Sequence, residues 1–195
     1  ITGNKEVKDY EIIEAANLKN YPSFISINKS KITKTLKQNP FIKDVQIKKN
    51  FKFQITINVT EEKVVAYNLT NQSYLLSNGT YINDKNFLGV PQLNNYTPED
   101  VLKNFAEELG KLDEDIIADI SEIEYSPSKN ETGETIDSTR FKLKMKDGNT
   151  VYINVKKCNV LSYYNQIYAS LKDKKGVLNL DSGNYERYVL TLYEE

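Results

Sequence analysis

Two stretches in the second half of the chain alternate apolar and polar residues with a period of two. Phe141, Leu143 and Met145 are interleaved with Lys142, Lys144 and Lys146, and Val151, Ile153 and Val155 with Tyr152 and Asn154. That spacing predicts strands with one buried and one wet face. Asp147-Gly148 between them signals a hairpin. The register follows from the same pattern. A two-residue loop would pair Met145 with Thr150 and turn Val151 and Ile153 onto the lysine face. A three-residue loop, Lys146-Asp147-Gly148, pairs Leu143 with Val151 and Phe141 with Ile153 and keeps six apolar side chains together, whereas a one-residue slip moves the whole set into water. The expected turn is type I with a bulge, with Gly148 at positive φ.

Earlier in the chain the period changes. Ile1-Thr2-Gly3-Asn4 reads as the end of a strand and a turn. Residues 7–18 place Ile12, Ala15, Ala16 and Leu18 at helical spacing, with Asp9, Glu11 and Glu14 toward the positive end of the helix. After Tyr21-Pro22, Asn28 is suited to cap a second helix carrying Ile32 and Leu36. Pro40 ends it, because Asn39 before proline is pushed out of helical space. Residues 41–48 (Val45, Ile47) and 53–59 (Phe53, Ile55, Ile57, Val59) then alternate as two strands around a polar turn near Asn50. The order is β-α-α-β-β in about 60 residues.

Beyond it, residues 64–69 and 74–82 read as short strands, the second broken by an Asn78-Gly79 turn, and residues 90–93 as a loop. Thr97-Pro98-Glu99-Asp100 starts a helix with Thr97 as cap, striped by Val101, Phe105 and Leu109 and stopped by Gly110. Residues 120–125 form a strand, and residues 126–139 a polar loop, expected to be flexible and cut first by a protease. After the hairpin, residues 160–171 form a helix with Leu161, Tyr164, Tyr168 and Leu171 toward the sheet. Strands at 176–180 and 186–193 close the chain around Asp181-Ser182-Gly183.

GNKEV, a two-helix interval and then NPFIKDVQIKKNFKFQITINVTEEKVVAY resemble the POTRA module of the FtsQ/DivIB family of bacterial division proteins. Pro40, Ile42, Val45, Ile47, Ile57, Val59 and Glu61 fit the family pattern. Lys8 departs from it where a Ser or Thr cap is usual, and Phe51 where a hairpin proline is usual. The succession ISEI, strand-DG-strand, a helix with Tyr at its centre and Gly-x-Leu-x-Leu before a last strand is similar to the family's β domain. The resemblance implies an α+β protein: a POTRA module over residues 1–62, then a mixed α/β domain over 63–195 with a mostly antiparallel sheet. It also implies a non-enzymatic scaffold of the division septum without a cofactor. The expected partners are coiled-coil division proteins of the FtsL/DivIC type and the septal peptidoglycan synthase. The resemblance further implies a single membrane span ahead of Ile1. The first residues read as the inside of a strand and no signal peptide is present, so the chain is expected to be a piece of something longer. Alternatives from other classes are a POTRA-containing secretion or assembly protein and an unrelated α+β ligand-binding domain. No internal repeat points to a POTRA array.

Composition narrows the chemistry. The chain has no histidine, which removes Ser-His-Asp and Cys-His nucleophiles and His-based zinc sites. A single cysteine, Cys158, cannot close an internal disulfide and reads as a buried thiol. Asp113-Glu114-Asp115 lacks the spacing of a calcium loop and reads as a solvated connection. Adjacent acids at Glu61-Glu62 and Glu107-Glu108 diverge and form no catalytic pair. Asn-x-Ser/Thr sequons, beginning at Asn28 and Asn58, read as chance in so Asn-rich a sequence.

Net charge of −1 hides an asymmetry: residues 1–65 hold 12 lysines against 7 acids, and the remainder 14 basic against 20 acidic residues. Residues 29–52 carry eight lysines and one acid, Asp44. This stretch reads as a solvated helix face running into a polar strand face. Its functional reading is attraction to an anionic membrane or cell-wall polymer. It has no arginine and few aromatics, unlike a nucleic-acid face, and no nucleic acid is expected.

The chain has fourteen tyrosines, of which Tyr163, Tyr164, Tyr168, Tyr185, Tyr188 and Tyr193 crowd its last third; Tyr164 and Tyr168 read as core, and the terminal ones fit either an interface or half-buried sheet positions. The resemblance also supplies a binding site. In the family, the end of the β domain engages its partner by pairing a partner strand with the sheet edge. The matching positions here are Arg187, Tyr188, Val189, Leu190 and Leu192, and proline at Val189 is expected to remove a donor from that edge.

Overall fold

The computed structural model describes residues 1–83, 85–170, 174–181 and 189–193. The chain divides into two compact units, Ile1–Lys63 and Val64–Glu195. The architecture is α+β, with helices on strands in the first unit and a large mixed sheet in the second.

In the first unit, helices α1 (Asp9–Ala15) and α2 (Lys29–Leu36) precede the hairpin of β1 (Ile42–Lys49) and β2 (Ile55–Glu61). Val45 faces Val59 and Ile47 faces Ile57 across the hairpin. Buried Ile12, Ala16, Ile32, Leu36, Val45, Ile57 and Val59 make its core. Asn28 caps α2 by accepting from the Lys31 N–H at 3.1 Å. Thr2 bridges to Asn58 in parallel, with hydrogen bonds to Ile57 and Val59. Glu61, at the end of β2, accepts from the backbone N–H groups of Lys5, Glu6 and Val7 at 3.1, 2.8 and 2.9 Å. One carboxylate thereby satisfies three donors of a turn that has no ladder of its own.

Two expectations shift here. Ala15 is exposed and α1 is shorter than its apolar spacing suggested, since Ile12 and Ala16 alone complete the buried side. Phe53 lies in the turn and not in β2: it is 75% exposed with φ at 58°. Asn50 builds that turn, its Oδ1 accepting from the N–H groups of Lys52 and Gln54.

The second unit is organised on a nine-stranded sheet. Its strands are β3 (Val64–Asn68), β4 (Ser73–Leu76), β5 (Tyr81–Ile82), β6 (Gln92–Leu93), β7 (Ile120–Tyr125), β10 (Arg140–Met145), β11 (Thr150–Asn154), β12 (Gly176–Asn179) and β13 (Val189–Leu192). The order across the sheet is β13-β12-β11-β10-β7-β6-β3-β4-β5. Pairs β11/β12, β3/β6 and β6/β7 are parallel and the other five are antiparallel. The central hairpin has the expected register, Phe141 opposite Ile153 and Leu143 opposite Val151. Its three-residue loop is closed by Met145 and Asn149, with Gly148 at φ 96°.

On the apolar face, α3 (Glu99–Leu109) and a 3₁₀ helix (Val155–Tyr163) running into α5 (Tyr164–Ser170) complete the core. Phe105 of α3 stacks on Phe141 with ring centres 3.8 Å apart.

Several local expectations are corrected in this unit. Residues 90–93 are not only a loop: Gln92–Leu93 is an inner strand between β3 and β7, too short to leave a periodic trace. Thr97 does not cap α3; Pro98 holds that place, and the Thr97 hydroxyl is buried without a partner. The stripe of α3 runs through Leu102, Phe105, Ala106 and Leu109, with Val101 at its margin. Gly110 ends the helix in right-handed conformation; a Cβ there would meet Ser77 Cβ at 2.3 Å, so close approach and not a left-handed turn requires glycine. Asp113–Asp115 leads into a short helix, α4 (Glu114–Ala118), which buries Ile116 and Ile117. Residues 126–139 hold a small hairpin, β8 (Ser128–Lys129) with β9 (Thr135–Asp137). The expected helix at 160–171 begins as 3₁₀; Leu161 and Tyr164 are buried, Tyr168 is half-buried, and Leu171 lies outside the described residues.

Candidate functional site

The strand β13 forms one edge of the nine-stranded sheet, with β5 at the other. The construction of the β13 edge starts at Gly176. Gly176, at the start of β12, faces Leu192, and a Cβ at that position would lie 2.1 Å from the Thr191 carbonyl oxygen. Glycine is what lets β13 come within ladder distance. The register then runs Val177 to Thr191, Leu178 to Leu190 and Asn179 to Val189.

The direction of each backbone group follows from alternation. The Tyr193 N–H donates to the Lys175 carbonyl at 3.2 Å, so this directly opposed pair is hydrogen-bonded, and so by alternation are Thr191/Val177 and Val189/Asn179. The opposite side of β12 agrees: the Leu180 N–H donates to Tyr152 and the Gly176 N–H to Asn149 Oδ1, both toward β11. The N–H and C=O groups of Leu190 and Leu192 therefore point away from β12, out of the sheet. The Leu190 side chain packs against the core, whereas Leu192 is 49% exposed. On the other face, the Tyr193 hydroxyl donates to Thr150 Oγ1 at 2.7 Å and holds the end of the strand against the sheet.

Of the five residues expected at this edge, Val189, Leu190 and Leu192 fall in β13, and Arg187 and Tyr188 lie outside the described residues. Val189 needs correction as the edge donor. Its N–H belongs to the protein's own ladder, and Leu190 and Leu192 present the outward groups. Sequence spacing could not assign this, because both faces of the strand carry apolar residues. Tyr193 and Gly176 were not singled out as part of the edge; the glycine opening Gly-x-Leu-x-Leu was the available signal.

The polar face beside this edge is built from paired charges. The Arg140 guanidinium lies 3.7 Å over the Tyr152 ring, and its Nε donates to Asp181 Oδ2 at 2.6 Å. Burial pushes the Asp137 carboxyl up, but hydrogen bonds from the Thr139 side chain and backbone and from Asn154, with Arg140 nearby, outweigh it and leave the group below its ordinary value. Lys144 pairs with Glu122 at 2.8 Å.

None of this assembles a nucleophile. Burial, followed by the charge of Glu108, pushes the Cys158 thiol up to about 12, far from thiolate chemistry. Among the described residues, no group of three His, Cys, Asp or Glu is placed to hold a metal. A groove of about 170 Å³ in the first unit, between α1 and α2, has Lys31 as its one titratable lining residue.

The fold is that of an α+β protein whose first unit is a two-helix, two-strand module, and residues 1–62 match the family described as "POTRA domain, FtsQ-type". Over 193 residues the chain is 30% identical to cell division protein DivIB of Listeria monocytogenes, covering 95% of this chain and 69% of the relative. It is 31% identical to DivIB of Bacillus subtilis over 193 residues, covering 95% and 71% respectively. The solved extracytoplasmic domain of DivIB from Geobacillus stearothermophilus aligns with a TM-score of 0.45 at 24% identity, over 58% of this chain and 96% of that one. The chain belongs to the DivIB family of bacterial cell-division proteins.

Proposed function

We propose that this chain is the extracytoplasmic part of a non-enzymatic scaffold of the division complex, with residues 1–62 acting as its POTRA domain and residues 63–195 as its β domain. The open edge of β13 receives a strand from a small coiled-coil division protein of the FtsL/DivIC type, and the assembly supports septal peptidoglycan synthesis. The protein works at the septum, anchored through a single membrane span. Family membership supports the setting. The observation that carries the binding mode is the outward direction of the Leu190 and Leu192 backbone groups on the terminal strand of the sheet. Such an edge templates a partner strand through main-chain hydrogen bonds, while exposed alternate side chains set the choice of partner.

The test is a binding titration with purified coiled-coil division ectodomains. Leu192→Pro removes an outward N–H from a half-exposed edge position, where proline is tolerated. Leu192→Thr keeps the donor. With a net value of about 1 kcal/mol per hydrogen bond and the loss of ladder continuity beyond it, Leu192→Pro should weaken binding by about tenfold. Leu192→Thr should lose much less. A folded Leu192→Pro chain that binds as tightly as the parent refutes the edge.

A further inference from the structure

The first unit carries a feature that strand pairing at β13 does not use. Residues 21–27 form a loop clamped onto the β1–β2 turn. Lys49 Nζ donates to the carbonyls of Phe24 at 2.8 Å and Ile27 at 2.7 Å and lies 5.0 Å from the centre of the Phe24 ring. Phe24 in turn meets Phe53 edge-on at 5.4 Å. The clamp brings four large apolar side chains to one end of the unit and leaves them in solvent: Tyr21 is 95% exposed, Ile25 89%, Phe51 104% and Phe53 75%. Two of them, Tyr21 and Phe53, are held at φ 46° and 58°, a conformation that bulky side chains resist. A fold that spends backbone strain to keep aromatic rings in water leaves that exposure unexplained by its own stability.

The charges around this end have one sign. Lys48 and Lys52 lie on the strand end and turn, and Lys29 follows the loop at the start of α2; all three are exposed and make no ion pair among the described residues. The one acid between residues 15 and 60, Asp44, is taken up by Lys37 at 2.9 Å, toward the other end of β1. The hydrogen bonds of Lys49 to two carbonyls leave its positive charge unneutralised. Thr2 pairs in parallel with Asn58, so the chain enters this unit travelling away from the tip.

We propose that this tip docks on the surface of an anionic phospholipid bilayer, with Tyr21, Ile25, Phe51 and Phe53 entering the headgroup region and Lys29, Lys48 and Lys52 meeting lipid phosphates. Protruding aromatic and aliphatic side chains ringed by lysine suit an interface that is apolar below and negative above. A soluble anionic polymer would engage the lysines alone and has no use for four bare apolar groups. The proposal concerns the first unit and does not depend on strand pairing at β13.

The experiment is sedimentation of the 195-residue chain with vesicles of phosphatidylglycerol mixed with phosphatidylcholine, and with vesicles of phosphatidylcholine alone. The parent should bind the anionic vesicles, and binding should fall as salt is added. Ile25→Ser with Phe51→Ser alters two side chains that carry no packing, so the fold, checked by circular dichroism, is kept; affinity should drop by about tenfold. Lys29→Glu, Lys48→Glu and Lys52→Glu together should lower it by at least about tenfold. Lys43→Glu, at the far end of β1, should change it little. Absence of parent binding to anionic vesicles overturns the proposal. So does an equal loss in Lys43→Glu, which would place the effect in overall charge. Loss in the lysine variant with none in the apolar variant also overturns it, because that outcome belongs to a soluble polyanion and not to a bilayer.

Discussion

Tyr164 and Asn149 together join three separate pieces of the second unit. The Tyr164 hydroxyl donates to Asp147 Oδ2 at 2.7 Å and accepts from Asn149 Nδ2 at 3.2 Å, both in the turn of the central hairpin. Asn149, 1% exposed, accepts at Oδ1 from the Gly176 N–H at 2.9 Å. The turn of β10–β11, the start of α5 and the first residue of β12 are thus one buried network, in which a missing partner strands the others. Tyr164→Phe should cost about 1–3 kcal/mol, visible as a lower unfolding midpoint in urea. The pH dependence has a definite sign. Burial first, then the Asp147 hydrogen bond, raise the Tyr164 hydroxyl above its ordinary value. The stability it contributes is complete below the unfolded value of about 10 and is lost as pH rises beyond it. The parent should lose more stability than Tyr164→Phe when pH climbs above about 10; equal losses would contradict the network.

At the scale of elements, the hairpin of β10 and β11 was legible because two rules agree there. Period-two alternation fixed the faces, and only one loop length kept Phe141, Leu143, Val151 and Ile153 on the same side. Gly148→Val therefore tests the register itself: at φ 96° a β-branched residue should cost about 1 kcal/mol or more in melting experiments. The elements that sequence did not show are those made by tertiary contact. β6 is two residues long and exists because β3 and β7 flank it. α4 lies in an acidic run whose solvated look conceals Ile116 and Ile117. The β13 edge was legible as a terminal strand, but the sorting of Val189 from Leu190 and Leu192 needs the partner strand, since backbone direction leaves no mark in side-chain pattern.

The β8–β9 hairpin belongs to the same group, and it sharpens an expectation about proteolysis. Asn130 Oδ1 accepts from the N–H groups of Thr132 and Glu134 and from the Thr132 hydroxyl, and Asp137 is tied to Thr139 and Asn154. The exposed tip is held by turn bonds alone, from the Gly133 N–H to the Asn130 carbonyl and from the Asn130 N–H to the Glu134 carbonyl. A glutamate-specific protease should cut after Glu131 or Glu134 before trypsin cuts after Lys129, and early cleavage at Lys129 would mean that this hairpin does not hold.

For the whole molecule, two compact units of unequal size imply unequal stability. A unit of about 60 residues buries a smaller fraction of its surface than one twice that size and depends more on single polar staples. Glu61 is such a staple, since its carboxylate holds the backbone of Lys5, Glu6 and Val7. Removing it leaves three donors to find water, and Glu61→Ala should lower the stability of the first unit by about 2 kcal/mol. Tyr164→Phe acts in the second unit, on a network that shares no residue with the first. Changes at sites without shared partners add, so hydrogen exchange should show each variant loosening its own unit and the double variant loosening both by the sum. The first unit should also open at the lower free energy in the parent. Protection lost throughout both units in Glu61→Ala would show that they unfold as a single cooperative body, and would remove the basis for treating the exposed tip of the first unit and the β13 edge as separable surfaces.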